Sequence, residues 1–475
     1  MNFYTYSTPG AAIPPEELGE DLCREEIWKD YVDCGMTMFM LTGTNGYNGE
    51  GWANSRTKKC FDFAKKFGIK RVIFDDNRIM DLIALKNELV GEGEACKFKN
   101  EDELDAFVKE CMSEYIDQEN FYGLRLRDEP DMSFLKAYGE VYRSVKRVAK
   151  ALGKEYIYLQ VNLLPLVGDR PMGIDDGKER NVLEAYEFYL DAYFAATGAD
   201  ILSTDNYPFR PSYTGGVFLL GYYTCFQIFR RVCDKYNATM SFAMQSFEMI
   251  HKTKPGATAG YRRITSINEM MLQMNSALGF GVRDMSFYTY VTMREPVEPY
   301  RCADGSSFVT WRGNKTRIYE YAKAAIAHAK RLEETVFAYD FKGAKLSVDK
   351  NCPEECNCLY LGDGEFTTLG GTKKGAKFDN SYELRGAKKV SHDRDIMLVT
   401  EFEKSGEERY MLMVQNVLDS VYKTELIPMR ATVDFGDCKR VKAFKNEEWT
   451  IVELKDGVYE TELVIGEAVY LIPLE

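Results

Sequence analysis

The sequence predicts an α/β fold: a (β/α)8 TIM barrel over residues 1–338, followed by an all-β sandwich over 339–475 with a loop-rich start. Three observations predict it. The first 335 residues alternate short β-rich apolar runs with amphipathic stretches of helix length, the pattern of parallel βαβ units. Several helical stretches close on glycine, with Gly35, Gly68, Gly153 and Gly198 each a few residues before the next apolar run, as helix C-caps are. After residue 340 the apolar period shortens to two, in brief segments separated by turn residues.

The eight candidate strands are NFYTYS (2–7), TMFMLTG (37–43), KRVIFDD (70–76), YGLRLRD (122–128), YIYLQVN (156–162), ILSTDNY (201–207), MSFAMQS (240–246) and DMSFYTY (284–290). Between them lie helical patterns such as EELGEDLCREEIWKDYVDCG, TKKCFDFAKKFG, EDELDAFVKECMSEYI, SFLKAYGEVYRSVKRVAKALG, VLEAYEFYLDAYFAATG and SINEMMLQMNSALGFG, and a last helix is predicted from Thr316 to Glu334. GAKLSV, RDIMLVTEFE, RYMLMVQNV, ATVDF, RVKAF, WTIVEL, VYETELV and AVYLIPL then read as the sandwich strands. Residues 345–385 read either as part of that sandwich or as a loop-rich connection. An open doubly wound sheet is the competing fold. To bind a nucleotide it needs a glycine-rich turn after its first strand, where this chain has STPGAAIPP, and neither G-x-G-x-x-G nor a Walker sequence stands in a strand-to-helix turn.

Acidic residues outnumber basic ones by 74 to 61, which repels phosphate backbones and anionic lipid, and no basic run carries interleaved aromatics. Neither nucleic acid nor a membrane is an expected partner. The first residues, MNFYTYSTPG, do not form a cationic and apolar leader, and no stretch reaches the roughly 18 apolar residues of a spanning helix, so a cytoplasmic location is expected. Cysteines scattered through apparent helices (Cys23, Cys34, Cys60, Cys111, Cys225, Cys233) suit a reducing compartment. Cys352, Cys356 and Cys358 cluster, but C-x3-C-x-C lacks the paired halves of a zinc ribbon. With only His251, His328 and His392 in the chain, no metal and no cofactor is expected, and without a G-x-S-x-G elbow a Ser-His-Asp relay is hard to build.

In a barrel, catalytic groups come from the C-terminal ends of the strands. Residues 121–130, FYGLRLRDEP, end a buried strand in Asp128 and Glu129. Pro130 stops that strand, and its ring is expected to press Glu129 into an extended conformation. Strand three delivers Asp75 and Asp76, strand five Asn162, and strand six Asp205, Asn206 and Tyr207. Strand seven delivers Gln245 with Glu248 just beyond, and strand eight Tyr288 and Tyr290, while Trp52 and Trp311 stand where rim aromatics would. Each has a plainer reading: Asp75 and Asp76 as loop caps, Asp205 in an Asx turn before Pro208, Trp311 as packing, Glu248 facing solvent. As a set they suit carbohydrate chemistry, which needs one carboxylic acid to protonate a leaving oxygen and a second carboxylate to attack or activate water. Aromatic faces stack on sugar C–H surfaces, and amides hold hydroxyls.

RDEP, VNLLP (Val161–Pro165), STDNYPF (Ser203–Phe209), AMQSF (Ala243–Phe247) and SFYTY (Ser286–Tyr290), in this order, resemble bacterial glycoside-hydrolase-like barrels related to the large retaining clan that includes the β-galactosidases. The resemblance covers about 330 residues. It implies a glycoside hydrolase acting on a small glycan or oligosaccharide, with Glu129 similar to the clan's general acid/base. The clan's nucleophile is a Glu ending strand seven, and Gln245 stands there instead. Asp205, or second to it Glu248, is then the expected partner carboxylate. The alternative is a non-catalytic carbohydrate-binding or scaffold protein, and a third reading is a metal-dependent lyase or hydrolase on another substrate.

Overall fold

A computed structural model describes the chain apart from residues 7, 11–20, 43–45, 87, 167–171, 179, 210–214, 255–256, 293–299, 302, 350–364, 369–370, 375–377, 419–426 and 475, and omits the side chains of 215–221, 251–254, 257–259, 300–301, 365–368 and 371–374. Strands and helices alternate through the first part of the chain. They run β1 (Asn2–Thr5), α1 (Glu25–Asp33), β2 (Phe39–Leu41), α2 (Arg56–Lys66), β3 (Val72–Phe74), α3 (Asn77–Ala84), α4 (Glu101–Met112) and β4 (Phe121–Asp128). Then follow α5 (Leu135–Ala151), β5 (Tyr158–Asn162), α6 (Val182–Thr197), β6 (Ile201–Asp205), α7 (Gly215–Tyr236), β7 (Thr239–Gln245), α8 (Ile267–Gly279), β8 (Asp284–Tyr288) and α9 (Arg317–Phe337). The expected strands are all present, each within its predicted segment or a residue of it. Helix α3 is absent from the predicted helical runs: Asp76 caps it through Arg78 N–H at 3.1 Å, and at eight residues it is shorter than the stretches that reveal a helix by period.

All pairings among these strands are parallel, in two four-stranded sheets ordered β1-β8-β7-β6 and β2-β3-β4-β5. Backbone hydrogen bonds bridge the sheets at both margins: Thr37 and Met38 N–H donate to Phe3 O at 2.9 and 3.1 Å, and Leu163 N–H donates to Ser203 O at 2.8 Å. Successive strand residues enter different cores. Phe3, Phe39, Leu41, Val72 and Phe74 pack outward among the helices, whereas Tyr4, Met40, Ile73, Tyr158, Ile201 and Ala243 share an inner cluster. Both faces of every strand are therefore covered, which is why these segments read as nearly unbroken apolar runs. Gly35, Gly68, Gly153 and Gly198 all have positive φ, between 64° and 103°, the left-handed backbone that ends a helix at little cost only in glycine.

From Asp340 the chain is antiparallel. Its strands are β9 (Asp340–Val348), β10 (Lys389–His392), β11 (Ile396–Glu403), β12 (Tyr410–Asn416), β13 (Met429–Asp434), β14 (Arg440–Lys445), β15 (Glu448–Glu453), β16 (Val458–Leu463) and β17 (Ala468–Leu474). They form a six-stranded sheet, β9-β11-β12-β17-β14-β15, and a three-stranded sheet, β10-β13-β16. Met397, Val399, Leu412 and Leu471 of the first meet Met429, Ala431, Val433 and Leu463 of the second in one apolar layer. The alternate residues Leu398, Met411, Met413 and Tyr470 join the main core, and Gln415 Nε2 and Asn275 Nδ2 donate across this junction to Leu272 O and Gly466 O at 3.0 and 3.1 Å. A two-stranded hairpin, Glu365–Thr368 with Gly371–Lys374, lies inside the segment read as sandwich or connection. Cys352, Cys356 and Cys358 lie outside the described residues.

Candidate active site

The end of β4 is shaped by a bulge and a left-handed residue. Arg125 pairs with Gln160 of β5 but Arg127 already pairs with Val161, so β4 carries one extra residue at Leu126, which bends the strand and re-aims its last side chains. Glu129 follows with φ 43°, a conformation that is rare for a residue with a Cβ. The extended backbone expected of a residue before proline is therefore not adopted. Its N–H is tied to Asn162 O at 2.7 Å, and Tyr189 Oη donates to Pro130 O at 2.6 Å, so contacts on both sides enforce the turn. Non-glycine residues in such backbone collect at functional sites, where the surroundings over-determine them.

At the C-terminal ends of the parallel strands lies a cavity of about 330 Å³. Its polar wall is formed by Asp128 and Glu129 from β4 and its loop, Asn162 from β5, Asp205 from β6 and Asn206 just after it. Aromatic rings line the same cavity, Tyr6 after β1, Tyr207, Phe247, Tyr261 and Tyr288, with the Tyr207 side chain hydrogen-bonded to Asp205. Tyr207 stacks on Tyr288 at 5.9 Å and meets Phe247 and Tyr261 edge-on at 4.9 and 5.2 Å. Tyr261 arrives on a hairpin, Met249–Lys254 with Ala257–Tyr261, whose register sets Tyr261 opposite Met249.

The electrostatics of this wall favour protonated acids. Glu129 is pushed up to about 8, first because protein crowds its carboxyl and then by the negative charges of Asp205 and Asp128. Glu129 is exposed by surface area and lines the cavity, while protein crowds its carboxyl. Asp205, 6% exposed, is pushed up to about 6 by burial, with Asp128 adding to the rise and the Tyr207 and Asn162 side chains opposing it. Arg125 sits behind the wall, bidentate to Asp75 at 2.9 and 2.8 Å and 3.6 Å from Asp128 Oδ1.

The cavity thus gathers Asp128, Glu129, Asn162, Asp205, Asn206, Tyr207 and Tyr288 from the expected set. The other candidates lie elsewhere. Asp76 is 1% exposed and occupied by Arg78 and Tyr115 Oη, the latter at 3.0 Å, in the capping role that was its plainer reading. Asp75 is the buried counter-ion of Arg125, not a loop cap. Gln245 is fully buried: its Oε1 accepts from Phe209 N–H at 3.0 Å and its Nε2 donates to Arg262 O at 2.8 Å and Phe247 O at 3.3 Å. The backbone of three segments takes up the amide, so it does not line the cavity. Glu248 points toward Arg263, 3.6 Å away. Tyr290 is buried between Tyr31 and Phe308, and Trp52 packs against Tyr47, Phe61, Phe74 and Tyr115. Trp311 lies in the loop after β8, its backbone N–H donating to Asp304 Oδ1 at 2.8 Å.

Sequence reasoning missed Tyr6, Arg125, Phe247 and Tyr261. Arg125 had a signal: a cation in the middle of an apolar strand must have a buried partner, and Asp75 ends the adjacent strand. Tyr261 had a weaker one in the Pro-Gly pair at 255–256, which marks a turn. Among the described residues no group of three or more His, Cys, Asp or Glu side chains is placed to hold a metal ion. Among them too, no helix is long and apolar enough to cross a membrane.

No protein-family model matches the chain, and neither does any curated protein. Solved glycoside hydrolases are similar to it in structure. An Anoxybacillus α-amylase is 11% identical, with 100% of this chain and 98% of that one covered and a TM-score of 0.49. A family 39 glycoside hydrolase from Bacteroides cellulosilyticus WH2 is 12% identical, covering 100% and 81% at a TM-score of 0.43. The endo-β-1,4-mannanase of Thermotoga petrophila is 11% identical, covering 98% and 91% at a TM-score of 0.42.

Proposed function

We propose that the chain is a glycoside hydrolase: a closed (β/α)8 barrel over residues 1–338 carrying a β-sandwich over 339–475, with Glu129 as general acid/base and Asp205 as the second carboxylate. The observation that carries this reading is one cavity lined by both Glu129 and Asp205, in which burial raises both carboxyls and the charge of Asp205 raises Glu129 further, with aromatic rings in the same lining. The hydrogen bonds at both margins of the two parallel sheets support closure of the barrel. With Asp205 ionised, its negative charge helps to hold the proton on Glu129. That is the division of labour the reaction needs: Glu129 protonates the leaving oxygen as the sugar becomes oxocarbenium-like, and Asp205 attacks the anomeric carbon or activates water. The aromatic rings stack on the sugar, and Asn162 and Asn206 orient its hydroxyls. Glu248, held toward Arg263, is the weaker candidate for second carboxylate.

A second reading, a carbohydrate-binding barrel without turnover, is favoured by Gln245, which puts no carboxylate into the cavity from β7. Glu129→Gln separates the two. A hydrolase loses turnover of aryl glycosides while keeping its affinity for sugar; a binder cleaves no member of an aryl-glycoside panel, and its sugar affinity is the only activity measured.

A further inference from the structure

The cavity carries more negative charge than glycoside cleavage requires. Two carboxylates suffice for that chemistry, and Asp128 is a third in the lining. The adjacent cation does not cancel it. Arg125 is engaged by both oxygens of Asp75 and comes no nearer than 3.6 Å to Asp128 Oδ1. No Lys, Arg or His is among the described residues that line the cavity.

A separate observation concerns hydrogen-bond polarity. Asn162 is 5% and Asp205 6% exposed, both line the cavity, and neither Asn162 Oδ1 nor Asp205 Oδ1 has a hydrogen-bond partner among the described residues. A buried acceptor without a donor is costly, so this wall suits a ligand that donates. Tyrosine and phenylalanine rings belong to the same lining, and aromatic π faces attract cations and stack on C–H surfaces. Negative charge, unfilled acceptors and aromatic faces converge on one ligand chemistry.

We propose, resting on the glycosidase reading of the same cavity, that the sugar it takes is an amino sugar with a free ammonium group. The ammonium pairs with Asp128, N–H and O–H donors fill Asn162 Oδ1, and the ring stacks on the tyrosines. Uronic and sulfated sugars are repelled by the same carboxylates.

Calorimetric titration of the wild-type chain at neutral pH and low salt tests this with monosaccharides, which cannot be cleaved: glucosamine and galactosamine, their N-acetyl forms, the parent neutral sugars, and glucuronate and galacturonate. One of the two amines is expected to bind at least about tenfold more tightly than its N-acetyl, neutral and uronate counterparts. That preference shrinks as salt is raised to about 0.5 M and is lost in Asp128→Asn. Equal binding of the N-acetyl or neutral sugar, tighter binding of the uronate, or no binding of either amine overturns the proposal. The glycosidase reading fails differently. Cleavage of neutral aryl glycosides that disappears in Glu129→Gln keeps it even if the ammonium preference is absent, whereas ammonium preference without cleavage of any glycoside overturns it alone.

Discussion

Asp205 at the end of β6 and Gln245 at the end of β7 are buried polar side chains on neighbouring strands, and their surroundings are opposite. Gln245 is saturated, its amide spent on the backbone of Phe209, Phe247 and Arg262, with Gln273 bracketing its own backbone at 2.7 and 3.0 Å. Asp205 is raised by burial and like charge, and its Oδ1 is unpartnered among the described residues. A side chain whose bonding capacity is filled by backbone fastens loops together. One left short beside a cavity has capacity for a ligand. By the same measure Asp75, filled by Arg125, is scaffold, and Glu129 is site.

The largest expected effect breaks the unsaturated side of this contrast. Glu129→Gln lowers kcat on activated glycosides by about 10²–10⁴-fold, the range for loss of a general acid/base, with the thermal transition retained. Next comes the scaffold. Arg125→Met removes the bidentate cation from the fully buried Asp75 carboxylate and destabilises the fold by about 3–5 kcal/mol in chemical denaturation. Gln245→Ala removes the hydrogen bonds that join Phe209 N–H, Phe247 O and Arg262 O and costs about 2–4 kcal/mol, while the pH profile of the folded enzyme keeps its shape.

Asp205→Asn has the opposite sign in stability. A carboxyl whose folded value is about 6 against an ordinary 3.8 contributes stability below the ordinary value that is lost as pH rises through about 6, so at neutral pH the native fold carries the whole loss. Removing the charge raises stability by about 1–3 kcal/mol at neutral pH, and the gain vanishes in acid, even as activity is abolished. Glu248→Gln has the smallest effect, below about 0.5 kcal/mol in stability and in activation free energy, because it loses one partly exposed ion pair at 3.6 Å.

Much of this was legible in the chain because it depends on local pattern. The parallel strands announce themselves as apolar runs, and their polar last residues, Asp128, Asn162 and Asp205, mark the cavity. What was not legible depends on convergence of distant segments. Nothing near Gln245 says that the backbone at 209, 247 and 262 meets around it. The bulge at Leu126 and the left-handed Glu129 follow from pairing with β5, against the local preference of a residue before proline. Tyr6 joins the site only because β1 pairs with β8, at the far end of the sheet order in sequence terms.

The central claim is that Glu129 and Asp205 titrate as a coupled pair in one cavity. NMR titration of ¹³C-carboxyl-labelled protein reads this without a substrate. A resonance absent from Glu129→Gln titrates near 8 in the wild type and moves down in Asp205→Asn, where the neighbouring charge is gone. A Glu129 resonance that titrates in the ordinary carboxylate range, or that does not respond to Asp205→Asn, contradicts the account.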